Sequence, residues 1–431
     1  MTATTKAATT AATAQANQHA IAATGNAFVT EAFRQIEPDA ICAYPITPQT
    51  SIVEKYAQLV ADGKVKTEYV CVESEHSAMS ATIGAAAGGC RAYTVTSAQG
   101  LAHMWEALYI ASGLRLPIVM INVNRALSAP INIHGDHSDV MGARDTGWVI
   151  MMAENPQEAY DNTIMATRVA EDLLLPVMST LDGFITSHSI MRGDVLDDET
   201  VKNFIGTYEP ADSLLFGDAV TVGAFANLGP TYMKVKKAQR NAMDGALASV
   251  ATVANEWQAL TGRNYEHVET WGMEDADRAI VIMGSAAGNA RAVARRLRKA
   301  GEKVGVVKVR TYRPFPAAEV AAALKGVDAI AVLDRAETFS SKAGPLALDT
   351  MSALYDAGIH TPLRTYIYGL GGNDVKLEQM DLVYEQLRQV GSDGVTGTIN
   401  DTPRYLGIDC CCDLSETTSA GTGNGEEKRN G

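Results

Sequence analysis

From Ile21 onward, short apolar runs alternate with stretches of helical periodicity, and no other feature of this sequence constrains its fold so strongly. Residues 40–43, 67–72, 92–96, 117–123 and 176–180 read as short buried strands, each preceded or followed by a helical pattern. Strands that follow one another through helices need crossover connections, which lay them parallel and put helices on both faces. A second alternation begins after residue 278, with strands at 279–283, 303–309, 329–333 and 365–368 and helices at 286–299 and 316–324. Between the two, residues 191–278 mix scattered Gly, Pro and charge with a helical stretch over 233–260, the pattern of a connector. The expected architecture is α/β, with two doubly wound parallel-sheet domains. In such sheets ligands sit outside the carboxyl ends of the strands, so chemistry is to be sought in the loops that leave the apolar runs.

Composition narrows the class. A chain of 431 residues, 46% hydrophobic and 20% charged, is long enough for two cores and is neither disordered nor fibrous. Thirty-six Lys plus Arg against fifty Asp plus Glu leave a net charge of −14, which argues against nucleic acid and anionic membrane surfaces as partners. The longest apolar stretches, such as 117–123, fall far short of the roughly 20 residues that span a bilayer. Residues 1–20 form an Ala/Thr-rich segment without the apolar centre of a secretory signal and read as a flexible tail, as do residues 413–431. Cys42, Cys71 and Cys90 lie in apolar segments, not in a disulfide framework, which points to a cytoplasmic protein. The contiguous Cys410, Cys411 and Cys412 match neither zinc-ribbon nor iron–sulfur spacing, and no metal site is assigned to this chain.

Four loops stand at the ends of the first set of apolar runs. Tyr44-Pro45-Ile46-Thr47-Pro48-Gln49-Thr50 brackets a hydroxyl donor, Thr47, between two prolines that restrict the backbone; a rigid turn leading into a helix cap would look the same. Glu73-Ser74-Glu75-His76-Ser77-Ala78 opens a helix of small residues, where either carboxylate could cap the helix or bond a ligand nitrogen. Thr96-Ser97-Ala98-Gln99-Gly100 is the third. The fourth starts with Asn124-Arg125, whose guanidinium fork suits a carboxylate or phosphate, and runs into His134-Gly135-Asp136-His137-Ser138-Asp139. Neighbours in one loop cannot all aim at one ion, so hydrogen-bonded packing outweighs a metal there.

Taken together and in this order, these loops resemble the α subunit of pyruvate:ferredoxin oxidoreductase (pyruvate synthase), within the 2-oxoacid:ferredoxin oxidoreductase family. Tyr312-Arg313-Pro314-Phe315-Pro316, Leu333-Asp334-Arg335 and Tyr368-Gly369-Leu370-Gly371-Gly372 extend the resemblance into the second alternation, which then covers roughly residues 25–407. The resemblance implies a thiamine-diphosphate pyrimidine-binding domain over 21–250, connector included, followed by a transketolase-C-terminal-like domain over 265–407. It implies that Glu75 bonds the cofactor's aminopyrimidine, with Pro45 and Ile46 beside the cofactor. Thr47 and Arg125 would hold the carboxylate and carbonyl of a 2-oxoacid, and residues 134–139 would line the same cavity. Arg313 and Asp334 read as structural pairings, with a ligand role as the alternative.

The chain lacks the Gly-Asp-Gly motif that holds Mg²⁺ and diphosphate in thiamine enzymes, and it has no CxxCxxC run for clusters. The resemblance therefore implies an enzyme active only with partners. A β subunit would bind the diphosphate and Mg²⁺, a δ subunit would carry 4Fe–4S clusters, and a small γ subunit would complete a dimer of heteromers. Coenzyme A would be co-substrate and ferredoxin the electron acceptor, in the reversible oxidative decarboxylation of pyruvate to acetyl-coenzyme A and CO₂. Alternatives are the same chemistry on 2-oxoisovalerate, 2-oxoglutarate or oxalate, or a catalytically silent scaffold. A stand-alone NAD-linked dehydrogenase is disfavoured, because no convincing GxGxxG follows the first strand.

Overall fold

Alternating strands and helices build two large sheets in a computed structural model that describes residues 16–390 and 403–408. The chain starts with β1 (Gln18–Thr24), α1 (Gly25–Ile36), β2 (Ala40–Ala43), α2 (Thr50–Ala61), β3 (Glu68–Cys71), α3 (Glu75–Ala87) and β4 (Ala92–Thr96). It continues through α4 (Ala98–His103), α5 (Trp105–Gly113), β5 (Val119–Asn124), α6 (Ser138–Ala143), β6 (Val149–Ala153), α7 (Pro156–Leu173) and β7 (Val177–Asp182). Next come β8 (Ile190–Leu196), α8 (Asp198–Ile205), α9 (Thr231–Asp244), α10 (Ala246–Thr261) and β9 (Val268–Trp271). The second unit follows with β10 (Arg278–Ile282), α11 (Ala287–Lys299), β11 (Val304–Val309), β12 (Thr311–Arg313), α12 (Ala317–Ala323) and β13 (Ala329–Asp334). It ends with α13 (Pro345–Asp356), β14 (Leu363–Tyr368), α14 (Leu377–Val390) and β15 (Arg404–Leu406).

The first sheet has the order β12-β6-β7-β5-β4-β2-β3 and is parallel except for β12. Its inner strands are buried on both faces, as continuous apolar runs such as Val119–Asn124 require once helices cover a sheet on each side. Local signals start the helices: Thr24, Ser74, Asn155 and Asp197 each accept a hydrogen bond from a first-turn N–H of α1, α3, α7 and α8. Phe33 meets Tyr93 and Tyr56 edge-on at 5.3 and 6.0 Å, joining α1 to the sheet. The second sheet, β15-β14-β13-β10-β11-β9, is parallel except for its edge strand β9.

Several boundaries differ from expectation. Gln18 to Ala20, expected in the tail, belong to β1, which pairs antiparallel with β8 from Gln18 opposite Leu196 onward. The connector begins with this strand pair and ends with α10, whose Trp257 is buried in the first core, so the first unit extends past residue 250. The two units also interlock, because β12 leaves the second and closes the edge of the first sheet against β6. Cys410, Cys411 and Cys412, the segment 413–431 and most of the expected N-terminal tail lie outside the described residues. Among the described residues, no helix is long and apolar enough to cross a membrane.

Candidate functional site

Adjacent strands β5, β4, β2 and β3 run parallel, so they deliver Arg125, the 96–99 turn, the Thr47 loop and Glu75 to one edge of the first sheet. Ser74 caps α3, its Oγ accepting from the Ser77 N–H at 3.2 Å. The two carboxylates beside this cap therefore part company. Glu73 is exposed and accepts from the Ser77 hydroxyl, which holds it below the usual carboxylate range, whereas Glu75 turns inward and is 8% exposed. Gly100 makes room for it: a Cβ there would stand 2.8 Å from Cγ and 2.9 Å from Oε1 of Glu75, with Thr96 Oγ1 closer still. The Glu75 carboxyl thus overhangs the end of β4, the neighbour of the strand that carries Arg125.

Thr47 and Arg125 meet directly. The Arg125 Nη1 donates to the Thr47 carbonyl at 2.9 Å and its Nε to the Asn132 carbonyl at 2.9 Å. A guanidinium has five N–H groups, so three of this buried cation's donors have no protein acceptor among the described residues. Burial pushes Arg125 down from its ordinary value, with Asp139 acting the other way. The Thr47 side chain, Pro45 and half-buried Ile46 face outward from the same loop. Asp139 underlies the edge: Oδ2 accepts from the Ala98 and Arg125 N–H groups and from Asn122, each at 3.0 Å, and Oδ1 from Asn124 at 3.0 Å. It ties the β4 turn, next to Glu75, to the β5 turn that carries Arg125.

Around this edge several buried polar atoms have no protein partner: Thr96 Oγ1, Ser97 Oγ and Gln99 Oε1 from the β4 turn, and Asn26 Oδ1 and Gln49 Oε1 beneath the Thr47 loop. Buried polar groups are normally satisfied, so this concentration marks a surface shaped for a polar ligand. Together with an inward carboxylate, it fits a nitrogen heterocycle such as an aminopyrimidine. Sequence reasoning named Gln49 only as part of the Thr47 loop and missed Asn26 and His103; a polar residue in the first helical turn of an apolar pattern was the signal for Asn26, whereas His103, at the end of α4, had none. His103 Nδ1 lies 3.4 Å from Glu75 Oε2.

Residues 134–139 do not converge on an ion. Asp136 accepts from Ser138 and from the Gly371 N–H at 3.0 Å, and His137 Nε2 lies 2.7 Å from Asp182 Oδ1. Asp182, at the end of β7, also accepts from Ser285 N–H at 2.9 Å, from the Ser285 hydroxyl at 2.5 Å and from Arg335 Nη1 at 2.9 Å. Burial would push this carboxyl up, but facing His137 and Arg335 hold it well below the usual carboxylate range. The segment is a seam between the two units. Asp334 binds the start of α13 through Leu346 and Ala347 N–H, and Arg313 pairs with Asp349 at 2.9 Å, as structural roles require. Glu154, Glu158 and Glu269 are the one cluster among the described residues close enough to hold a metal, yet Lys308 bonds all three at 2.7–3.0 Å and Arg291 bonds Glu154.

Residues 31–255 match the family model described as pyruvate flavodoxin/ferredoxin oxidoreductase, thiamine diP-bdg, and residues 276–380 match pyruvate:ferredoxin oxidoreductase core domain II. The chain belongs to this family. It is 47% identical over 391 residues to pyruvate synthase subunit PorA of Thermotoga maritima, covering 90% of this chain and 98% of that one. Over 374 residues it is 42% identical to the PorA subunit of Methanocaldococcus jannaschii, covering 86% and 95%. Ketoisovalerate oxidoreductase subunit VorA of Pyrococcus horikoshii is 42% identical over 359 residues, covering 82% and 90%. Among solved structures, 2-oxoglutarate:ferredoxin oxidoreductase from Magnetococcus marinus, with 2-oxoglutarate, coenzyme A and succinyl-CoA bound, shares the fold at a TM-score of 0.66 and 20% identity. That match covers 85% of this chain and 65% of the neighbour.

Proposed function

We propose that this chain is the α subunit of a multi-subunit, thiamine-diphosphate-dependent pyruvate:ferredoxin oxidoreductase and supplies the pyrimidine-binding half of its active site. The observation that carries this reading is Glu75: a nearly buried carboxylate at the start of α3, not used as a cap, facing polar atoms that lack protein partners. When bound, thiamine diphosphate supplies the nucleophilic carbon and the electron sink for decarboxylation. The chain's own residues do the rest of the work on this half. Glu75 would hold a proton at a ring nitrogen, and Pro45 and Ile46 would help hold the cofactor. Arg125 offers its remaining N–H donors to the substrate carboxylate, and the Thr47 hydroxyl donates beside it. Burial of the guanidinium strengthens that attraction, since a desolvated cation is less screened.

The diphosphate and Mg²⁺ would be held by a β subunit, the clusters that reduce ferredoxin by a δ subunit, and coenzyme A would be enclosed with the help of a γ subunit, in a cytoplasmic dimer of heteromers. The PorA names of several relatives support pyruvate as the substrate, and the VorA names make 2-oxoisovalerate the alternative to test. The complex reconstituted with Glu75→Gln tests the assignment. Pyruvate-dependent ferredoxin reduction should fall about 10³-fold, within the range for loss of a general acid–base group, with an unchanged melting temperature. Unaltered turnover would make the chain a scaffold. Pyruvate should also exceed 2-oxoisovalerate in kcat/KM with the unsubstituted complex.

A further inference from the structure

We infer that His103 is a positioning residue for the Glu75 carboxyl, an inference that rests on the reading of Glu75 given above. His103 ends α4, one turn beyond Gly100, and its Nδ1 lies 3.4 Å from Glu75 Oε2. It is the only side-chain partner of this carboxyl among the described residues, and Oε1 is left against Gly100 without a protein donor. The two oxygens therefore have different tasks. A neutral imidazole with its proton on Nδ1 donates to Oε2, fixes the plane of the carboxyl and leaves Oε1 for the ligand, as an imidazole or carboxylate partner orients a metal-bound group elsewhere.

The surroundings favour a functional role over a packing one. The His103 side chain is 55% exposed and that of Glu75 11%, so the histidine fills no core space. His76 on α3 has its ring centroid 6.1 Å from that of His103, and Glu73 before the helix is exposed and accepts from the Ser77 hydroxyl. Among them only His103 lies within hydrogen-bond reach of Glu75.

Two measurements test the inference. In the full cofactor-free chain, ¹⁵N-histidine spectra at roughly pH 8.5, about two units above an ordinary imidazole, should show His103 protonated on Nδ1. Glu75→Ala should move that signal toward the Nε2-protonated form. An Nε2-protonated wild type, or a signal indifferent to Glu75→Ala, overturns the pairing. In the reconstituted complex, His103→Leu should lower kcat about tenfold with the KM for pyruvate changed less than about twofold, the signature of a misaligned catalytic group. His103→Asn, whose amide N–H takes the place of Nδ1, should restore kcat to within about threefold. An unchanged kcat in the leucine variant, or no rescue by asparagine, overturns the positioning role. Full turnover in Glu75→Gln would instead defeat the underlying reading of Glu75, and a normal loss there with an indifferent His103 defeats this inference alone.

Discussion

The two α/β units present the same feature to very different ends. Each has a parallel sheet whose carboxyl edge carries carboxylates, an arginine and glycine turns. On the second sheet most of those groups are engaged: Arg335 and Ser285 bind Asp182, Asp334 binds the start of α13, and Gly371 exchanges hydrogen bonds with Asp136 and Asn132, with Arg335 Nη2 the buried donor left without a protein partner. On the first sheet Glu75, three donors of Arg125 and the buried oxygens of Thr96, Ser97 and Gln99 have capacity left over. One edge is closed against its neighbour and the other is open. Fold alone does not mark a site; the hydrogen-bonding capacity left at a strand end does.

The largest effect is expected where the closed edge is broken. Asp182→Asn removes the charge that faces buried Arg335 and should cost about 3–5 kcal/mol in chemical denaturation, the usual scale for leaving one member of a buried pair alone. A loss below about 1 kcal/mol would mean the seam does not rest on this carboxylate. The pH dependence has a definite sign. Asp182 ionises more readily in the folded than in the unfolded chain, so its stabilisation is complete above the unfolded value of about 3.9 and is lost as pH falls below it. Acid denaturation should therefore be steeper between about pH 4 and 2 in the wild type than in Asp182→Asn.

A pair of glycine substitutions of intermediate effect separates the two edges. Gly100 lies against the Glu75 carboxyl and Gly344 against that of Asp334, each so closely that a Cβ would overlap its neighbours. Gly100→Ala and Gly344→Ala should each cost about 1–3 kcal/mol, the range for overpacking. Their functional consequences should diverge. Displacing Glu75 should lower turnover about tenfold to a hundredfold, whereas Gly344→Ala should leave kcat/KM of the folded complex within about twofold. Equal loss of turnover in both would dissolve the distinction between an open and a closed edge.

Much of this arrangement was legible in the sequence, for a reason that also explains what was not. Strands 40–43 and 92–96 coincide with β2 and β4, because a run buried on both faces has few alternatives to an apolar strand. Thr47, Glu75 and Arg125 could be singled out because a residue directly after such a run lies at the sheet edge whatever the rest of the chain does. β6, by contrast, follows the loop that ends at Trp148 with little local punctuation, and β12 pairs with it across about 160 residues of sequence. No local rule anticipates a partner that distant. The same holds for the seam: Asp182 and Arg335 are separated by 153 positions, so their pairing has no signature in either neighbourhood. The loop 134–139 could be read as ligands or as packing. It is packing: Asp139 accepts from Ala98, Asn122, Asn124 and Arg125 of its own unit, Asp136 from Gly371 of the other, and His137 lies against Asp182.

Asn132 stands where the open and closed edges touch, and it gives the smallest and most discriminating test. Its main-chain carbonyl accepts from Arg125 Nε at 2.9 Å, while its side-chain amide donates to the Gly371 carbonyl at 2.9 Å. The same side chain accepts from the His134 N–H at 2.7 Å, fixing the turn that presents the carbonyl. Asn132→Ala keeps the carbonyl but frees the turn from the second unit. Stability should fall by about 1 kcal/mol, as expected for a partly buried neutral hydrogen bond, a shift of a few degrees or less in melting temperature. If the closed edge serves to hold the open one in shape, the KM for pyruvate should rise severalfold while kcat changes little, because Arg125 loses its fixed orientation and no group on Glu75 moves. An unchanged KM accompanied by the stability loss would show that the two edges are independent, and that the second unit braces the fold without tuning the site.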